Sequence, residues 1–331
     1  TPVLPGYFGT VPTDFADRNP EAKVVPQGTW SNYQRPGWLD PTGDVFADVA
    51  ADYYRLSTEL IGDAGAYKMD PLHEGGRPGD VSVPGAASGI EDALRAAHPD
   101  ALWALLGWQS NPTMTLLSGV KDHSKLLIVD GLSDTVNTLD RESRWPGIPY
   151  AFGSIYNFGG NTSMGAISTV WLDRYFTARD KAGSALTGVA ILPEGFYNNP
   201  AAYELMSELP WMDDKPDHTQ WFRDYAEGRY GSDAGGDAWE IIAETAYSME
   251  PIGTHSESHD SLFAAQPSLT ATKARACCAR GEIRYDLAEF ATALPALIEA
   301  DSSVVQRAAY EYDLTDVTRQ VIANLSHELL P

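Results

Sequence analysis

Cysteine, basic residues and long apolar runs are all scarce in this sequence. Its two cysteines, Cys277 and Cys278, are adjacent. A useful disulfide closes a loop, so this pair excludes a disulfide framework, and two thiols cannot build a four-cysteine zinc site. Lys and Arg number 23 against 46 Asp and Glu, leaving a formal net charge of -23. Such a field repels phosphate backbones and anionic headgroups, which argues against nucleic acid and membrane surfaces as partners. No apolar stretch reaches the roughly 18 to 20 residues a spanning helix needs, so we expect no membrane insertion. Internal repeats and low-complexity tracts are absent, as is a Gly-x-Ser-x-Gly elbow, and Gly159-Gly160 lacks the Lys and spacing of a phosphate loop.

Hydrophobic residues make up 43% and aromatics 11%, enough apolar surface for a real core and too much for a disordered chain. Short runs rich in β-branched residues predict strands over 2–4, 66–69, 102–106, 126–129, 150–155 and 188–192. Amphipathic stretches over 45–61, 89–97, 113–120 and 165–179 predict helices between them. Strand alternating with helix means a parallel sheet, and runs such as Leu126-Leu127-Ile128-Val129 imply burial on both faces. Either a (β/α) barrel or a doubly wound sheet satisfies this α/β pattern. Beyond about Tyr203 only helices are predicted, over 219–229, 238–247, 283–299 and 304–328. We therefore place an α/β domain at residues 1–210 and an all-α domain at 211–331. A closed barrel needs eight strands. Six are found, and the chain opens directly on strand-like Thr1-Pro2-Val3-Leu4-Pro5, so we expect it to begin inside a domain, with two strands upstream. Its last helical pattern lacks a clear cap, which suggests a cut at the other end too.

In parallel α/β folds the functional loops leave the carboxyl ends of the strands. Here those loops read Tyr7-Phe8-Gly9, Asp70-Pro71-Leu72-His73-Glu74-Gly75-Gly76, Gly107-Trp108-Gln109, Asp130-Gly131, Tyr156-Asn157-Phe158-Gly159-Gly160-Asn161 and Pro193-Glu194-Gly195. Aromatic faces stack on the C–H faces of sugar rings while Asn and Asp bond hydroxyls, so the mixture suits carbohydrate. Glu74 and Glu194 each stand just past a strand and before a glycine. Glycoside hydrolysis uses two such carboxyls, one to protonate the leaving oxygen and one to attack or activate water. The plainer reading, two solvated loop acids in an acidic chain, stays open at this point. His255, Glu257 and His259 depart from the H-E-x-x-H zinc pattern, so no metal is assigned. The Asp-rich 232–237 stretch departs from a calcium loop and reads as a solvated turn. Asn161-Thr162-Ser163 and Asn324-Leu325-Ser326 match glycosylation acceptors, relevant only in a eukaryotic secretory route.

Four of these blocks, Leu4-Pro5-Gly6-Tyr7-Phe8-Gly9-Thr10-Val11-Pro12, Leu106-Gly107-Trp108, Asn157-Phe158-Gly159-Gly160-Asn161 and Pro193-Glu194-Gly195, resemble the α-N-acetylglucosaminidases of glycoside hydrolase family 89. Tyr285-Asp286-Leu287 and the run Tyr312 to Gln320 resemble the family's helical C-terminal part. The resemblance covers essentially the whole chain. It implies a partial (β/α)8 TIM-type barrel followed by an all-α C-terminal domain. It implies a retaining exo-hydrolase that removes terminal non-reducing α-linked N-acetylglucosamine, with Glu74 as acid/base, Glu194 as nucleophile and no metal or organic cofactor. Retention asks for carboxyls ~5–5.5 Å apart, against ~6.5–9.5 Å for inversion. Substrate contacts are expected from Tyr7, His73, Trp108, Asn157 and Asn161, the two Asn being equally suited to holding their loop. Gln266 stands where the family has Arg, which removes a charge role there. The implied partner is a glycan ending in α-linked N-acetylglucosamine, a neutral one in view of the charge. High Asp, Ala and Gly with few Lys fits an exported, secreted or cell-surface, bacterial protein. An alternative is a non-catalytic carbohydrate-binding protein or inactive paralogue with the same pocket. Oligomeric state is not readable.

Overall fold

The computed structural model describes residues 2–135, 140–160, 162–195, 199–252, 259, 269–270 and 283–329. Asn161, His255, Glu257, Gln266, Cys277 and Cys278 lie outside the described residues. The strands are β1 (Val3–Pro5), β2 (Thr10–Val11), β3 (Val24–Val25), β4 (Thr29–Trp30), β5 (Tyr33–Gln34), β6 (Gly37–Leu39), β7 (Ala66–Lys68), β8 (Leu102–Gly107), β9 (Leu126–Asp130), β10 (Tyr150–Ser154) and β11 (Leu186–Ile191). All six strands expected from apolar runs are present. They form one sheet in the order β1-β7-β8-β9-β10-β11, with β1 through β10 paired in parallel. A doubly wound sheet reverses its order at a switch point. Here every neighbour in the sheet is also the next of these strands along the chain, which is the order of a barrel wall.

Helices α1 (Phe15–Arg18), α2 (Asp44–Ile61), α3 (Val83–Ala97) and α4 (Met114–Leu117) belong to the first of two compact units, which comprises Thr1–Asp130, Arg141–Ala151 and Ala185–Thr187. Helix α2 buries Phe46, Ala50 and Tyr54, four residues apart, and α3 buries Ile90 and Leu94. They pack with Tyr67, Trp103, Leu105 and Ile128 of the sheet. Helix α3 starts six residues before the expected point. The Ser82 hydroxyl caps it by accepting from the Gly85 amide at 3.2 Å, and Pro84 sits in the first turn, where a missing N–H costs nothing. Strands β2, β6 and β3 make a small antiparallel sheet, and β4 and β5 a two-stranded ribbon. Neither was expected from the sequence.

The second unit comprises Gly131–Asp140, Phe152–Ser184 and Gly188–Pro331. It holds α5 (Ser168–Asp180), α6 (Pro200–Glu208), α7 (His218–Tyr230), α8 (Gly236–Glu244), α9 (Leu287–Ala291), α10 (Ala293–Ala300) and α11 (Arg307–Leu329). Rings from Phe222, Tyr225, Trp239 and Tyr247 pack at centroid distances of 4.8 to 6.0 Å. Asp313 ties α11 to α7: Arg229 donates to both its oxygens at 2.7 and 2.8 Å, and the Tyr230 hydroxyl donates at 3.0 Å. The single helix expected over 283–299 is two, joined at Thr292. Pro295 is the reason: it falls in the first turn of α10, where no amide hydrogen bond is forfeited. Asn324 is buried in α11 and bonded to Gln320 and His259, so the second glycosylation match is not presented as an acceptor. Among the described residues no helix is long and apolar enough to cross a membrane.

Candidate active site

The loop after β7 folds tightly back on itself. Leu72 and Glu74 both adopt left-handed backbone, with φ of 61° and 47°, and Gly75 follows at 82°. At Gly76 a Cβ would lie 2.5 Å from the Leu72 Cα, so only glycine fits. Left-handed conformation at non-glycine residues costs on the order of 1 kcal/mol each, and something outside the loop must hold it. Arg35 does this: its guanidinium donates to the His73 carbonyl at 3.2 Å and, in a short contact, to the Glu74 carbonyl. Further along, Gln27 bonds both ways with the Arg77 backbone at 2.8 Å.

The Glu74 carboxylate is held as well. Trp108, just past β8, donates its indole Nε1–H to Glu74 Oε1 at 2.8 Å. Trp108 itself is pinned by a pair of backbone bonds with Asn111, at 2.9 and 3.1 Å. His73 is half-buried, its Nδ1 has no hydrogen-bond partner among the described residues, and burial pushes its pKa below the ordinary value. The ring is therefore neutral near pH 7, free to donate or accept.

His73 and Glu74 line a cavity of about 360 Å³ together with Phe8, Trp30, Arg35 and Trp38. That volume is within the range of small-molecule sites, and its aromatic walls with a few polar groups suit a sugar ring. A larger cleft of about 1120 Å³ between α2 and α3 contains none of the expected site residues. Tyr7 does not line the Glu74 cavity. It is buried, its ring 5.3 Å from Phe46 and 5.5 Å from Tyr53, with a hydroxyl that lacks a partner among the described residues and a pKa raised by burial. His73, Glu74 and Trp108 are thus brought together, and Tyr7 lies in the core.

In the second unit the Glu194 loop is fastened by neighbours. The Leu192 and Glu194 amides donate to the Ser154 and Tyr156 carbonyls, each at 3.0 Å. Asn157, fully buried with φ of 56°, donates from Nδ2 to the Gly195 carbonyl at 2.7 Å, and the Tyr203 hydroxyl donates to the same oxygen at 2.9 Å. The Glu194 side chain is exposed. Buried Asn199 accepts from the Gly165 amide and the Tyr247 hydroxyl, each at 2.9 Å, and donates to the Ser163 carbonyl at 2.9 Å.

Sequence reasoning missed Arg35, Trp30, Trp38 and Asn199. For Asn199 a signal existed: an Asn before Pro200 reads as a helix start after a left-handed residue. For Trp30 the signal was Trp30-Ser31-Asn32-Tyr33, two aromatics flanking a two-residue turn. Nothing local marked Arg35, whose partners lie nearly forty residues away.

Comparison with known proteins identifies relatives of the whole chain. The alpha-N-acetylglucosaminidase (NAGLU) tim-barrel domain model matches residues 1–213, and the C-terminal domain model of the same family matches residues 221–331. Human alpha-N-acetylglucosaminidase is 28% identical over 98% of this chain, which spans 45% of the human protein. A family 89 glycoside hydrolase from Clostridium perfringens, solved in complex with PUGNAc, superposes with a TM-score of 0.87 at 30% identity, covering 99% of this chain and 38% of that one. Another structure of that bacterial protein, with two glutamates changed to glutamine and its substrate GlcNAc-α-1,4-galactose bound, gives a TM-score of 0.86 at 29% identity. This chain therefore spans less than half the length of either relative.

Proposed function

The chain belongs to the alpha-N-acetylglucosaminidase family, and from that premise we propose that the protein is a retaining exo-glycoside hydrolase that removes terminal non-reducing α-linked N-acetylglucosamine. The observation that carries the reading is Glu74: a carboxylate fixed by an indole N–H, on a backbone pinned by Arg35, lining an aromatic cavity of sugar size. Support comes from the bacterial relative, whose two replaced glutamates stand at nearly the spacing along the chain that separates Glu74 from Glu194. Residues 1–210 act as the barrel portion and 211–331 as the helical domain.

In this mechanism Glu194 attacks the anomeric carbon while Glu74 gives a proton to the departing oxygen, forming a glycosyl ester on Glu194. Water deprotonated by Glu74 then hydrolyses the ester, restoring both groups. With Oε1 taken up by Trp108, Oε2 is the oxygen that carries the proton. Asn157 acts through the Gly195 carbonyl to hold the nucleophile's loop, and Asn161, of the same sequence block, is assigned either a sugar contact or a supporting role. The substrate is a glycan of the kind bound by the bacterial relative, and the charge of -23 on these 331 residues tilts the reading toward a neutral one over a sulfated polymer.

The full-length protein should release 4-nitrophenol from its α-N-acetylglucosaminide, and Glu194→Ala should lose nearly all of that rate. Unchanged turnover in the variant would remove Glu194 from the mechanism. Binding of N-acetylglucosamine with no hydrolysis by the unaltered protein would replace the enzyme by a carbohydrate-binding protein.

A further inference from the structure

The β4–β5 ribbon is tied to the Glu74 loop more firmly than a surface hairpin needs to be. Arg35, the residue after β5, bonds the His73 and Glu74 carbonyls, and Gln27, two residues before β4, bonds the Arg77 backbone in both directions. The ladder is extended at its base, where the Arg35 amide and the Gln34 side chain both donate to the Gly28 carbonyl, at 2.8 and 3.0 Å. At its tip Ser31 and Asn32 adopt φ of 44° and 69°, the two left-handed positions of a tight two-residue turn. The ribbon therefore moves with the Glu74 loop.

This ribbon carries two large aromatics that the fold leaves in solvent. Trp30 and Tyr33 are 50% and 76% exposed and are cross-strand partners, so both project from the same face. Trp30 lines the cavity that holds Glu74. A single exposed aromatic needs no explanation, but a paired one, fixed on a short turn beside a carboxylate, does.

We infer that Trp30, backed by Tyr33, is the platform for the sugar on the leaving-group side of the scissile bond, and so sets which glycans are cleaved. This rests on Glu74 being the acid/base of the preceding section. The acid must touch the departing oxygen, so the group attached to that oxygen enters the space Glu74 shares with Trp30. Aromatic stacking there favours a pyranose ring with an apolar face over a charged, sulfated one.

The test compares two substrates in the full-length protein. An α-N-acetylglucosaminyl fluoride has a one-atom leaving group and cannot use the platform. A disaccharide with N-acetylglucosamine α-linked to a neutral hexose can. In Trp30→Ala the ratio of kcat/KM for the disaccharide to that for the fluoride should fall about tenfold, and Trp30→Phe should recover most of it. An unchanged ratio, or equal losses on both substrates, would overturn the platform. If the unaltered protein cleaves neither substrate, the hydrolase reading fails and this inference falls with it. Cleavage of both by the unaltered protein with no change in ratio overturns the platform alone.

Discussion

The loops that carry Glu74 and Glu194 are held in opposite ways. Glu74 sits in left-handed backbone pinned by a cation from a remote ribbon, and an indole N–H fixes its carboxylate. Glu194 stands in a loop fastened by backbone bonds to the preceding strand segment and by neutral side chains, Asn157 and Tyr203, that converge on the next carbonyl. In the proposed mechanism Glu74 donates and later accepts a proton, which needs its carboxyl aimed, and the Trp108 indole N–H reaches that carboxyl directly. At Glu194, the proposed nucleophile, backbone bonds and the Asn157 and Tyr203 side chains fix the main chain on either side of the residue.

The sharpest way to break this contrast is to remove each carboxyl and vary the leaving group. Glu194→Ala should lose on the order of 10⁴-fold or more on the fluoride and on the disaccharide alike. Glu74→Ala should lose ~10²–10⁴-fold on the disaccharide, the usual worth of a general acid, and much less on the fluoride, which departs without a proton. Kinetics that show the same pattern for both variants would erase the distinction of roles.

Smaller effects separate the supports. Asn157→Ala removes a buried hydrogen bond and puts alanine at a left-handed position, so unfolding in urea should show a loss of about 2 kcal/mol. Arg35→Ala removes a half-buried cation from the surface of the ribbon. It should lower kcat about tenfold with a change in unfolding midpoint smaller than that of Asn157→Ala. A reversal of these two, stability lost at Arg35 and turnover at Asn157, would contradict the account of how the loops are held.

The smallest effect concerns acid. Burial holds His218, whose Nε2 lies 2.8 Å from the Ser168 hydroxyl, at a pKa of about 4. Between that value and the ordinary ~6.5 the unfolded chain binds more protons than the folded one, so stability rises with pH across this window and is lost as pH falls through it. Buried His259 adds to the same trend, with a pKa of about 4. Hydrogen exchange along α7 should show lower protection at pH 5 than at pH 7, and His218→Asn should narrow that difference.

What the sequence made legible follows from burial. Strands such as Leu126–Asp130 were plain because a central parallel strand must be apolar on both faces. Glu74 and Glu194 stood out as candidates because both follow strand ends, but position alone left them open as solvated loop acids, and their proposed roles came from the family resemblance. The ribbon's strands were not legible, because two-residue strands in a stretch broken by Gly28, Pro36 and Gly37 have no periodicity to detect, and only the aromatics flanking the Ser31-Asn32 turn left a trace. Arg35 was invisible for a different reason: its partners are backbone carbonyls, which every residue has, and only the fold selects which two it meets. Tyr7 was placed near the sugar by its strand-end position, whereas the structure packs its ring between Phe46 and Tyr53.

Proton NMR of the first product released from an α-linked N-acetylglucosaminide by the full-length protein tests the central assignment most directly. Two displacements, through Glu194 and then water, predict N-acetylglucosamine appearing first as the α-anomer and mutarotating afterwards. Initial release of the β-anomer would mean a single displacement by water, and would contradict Glu194 as nucleophile.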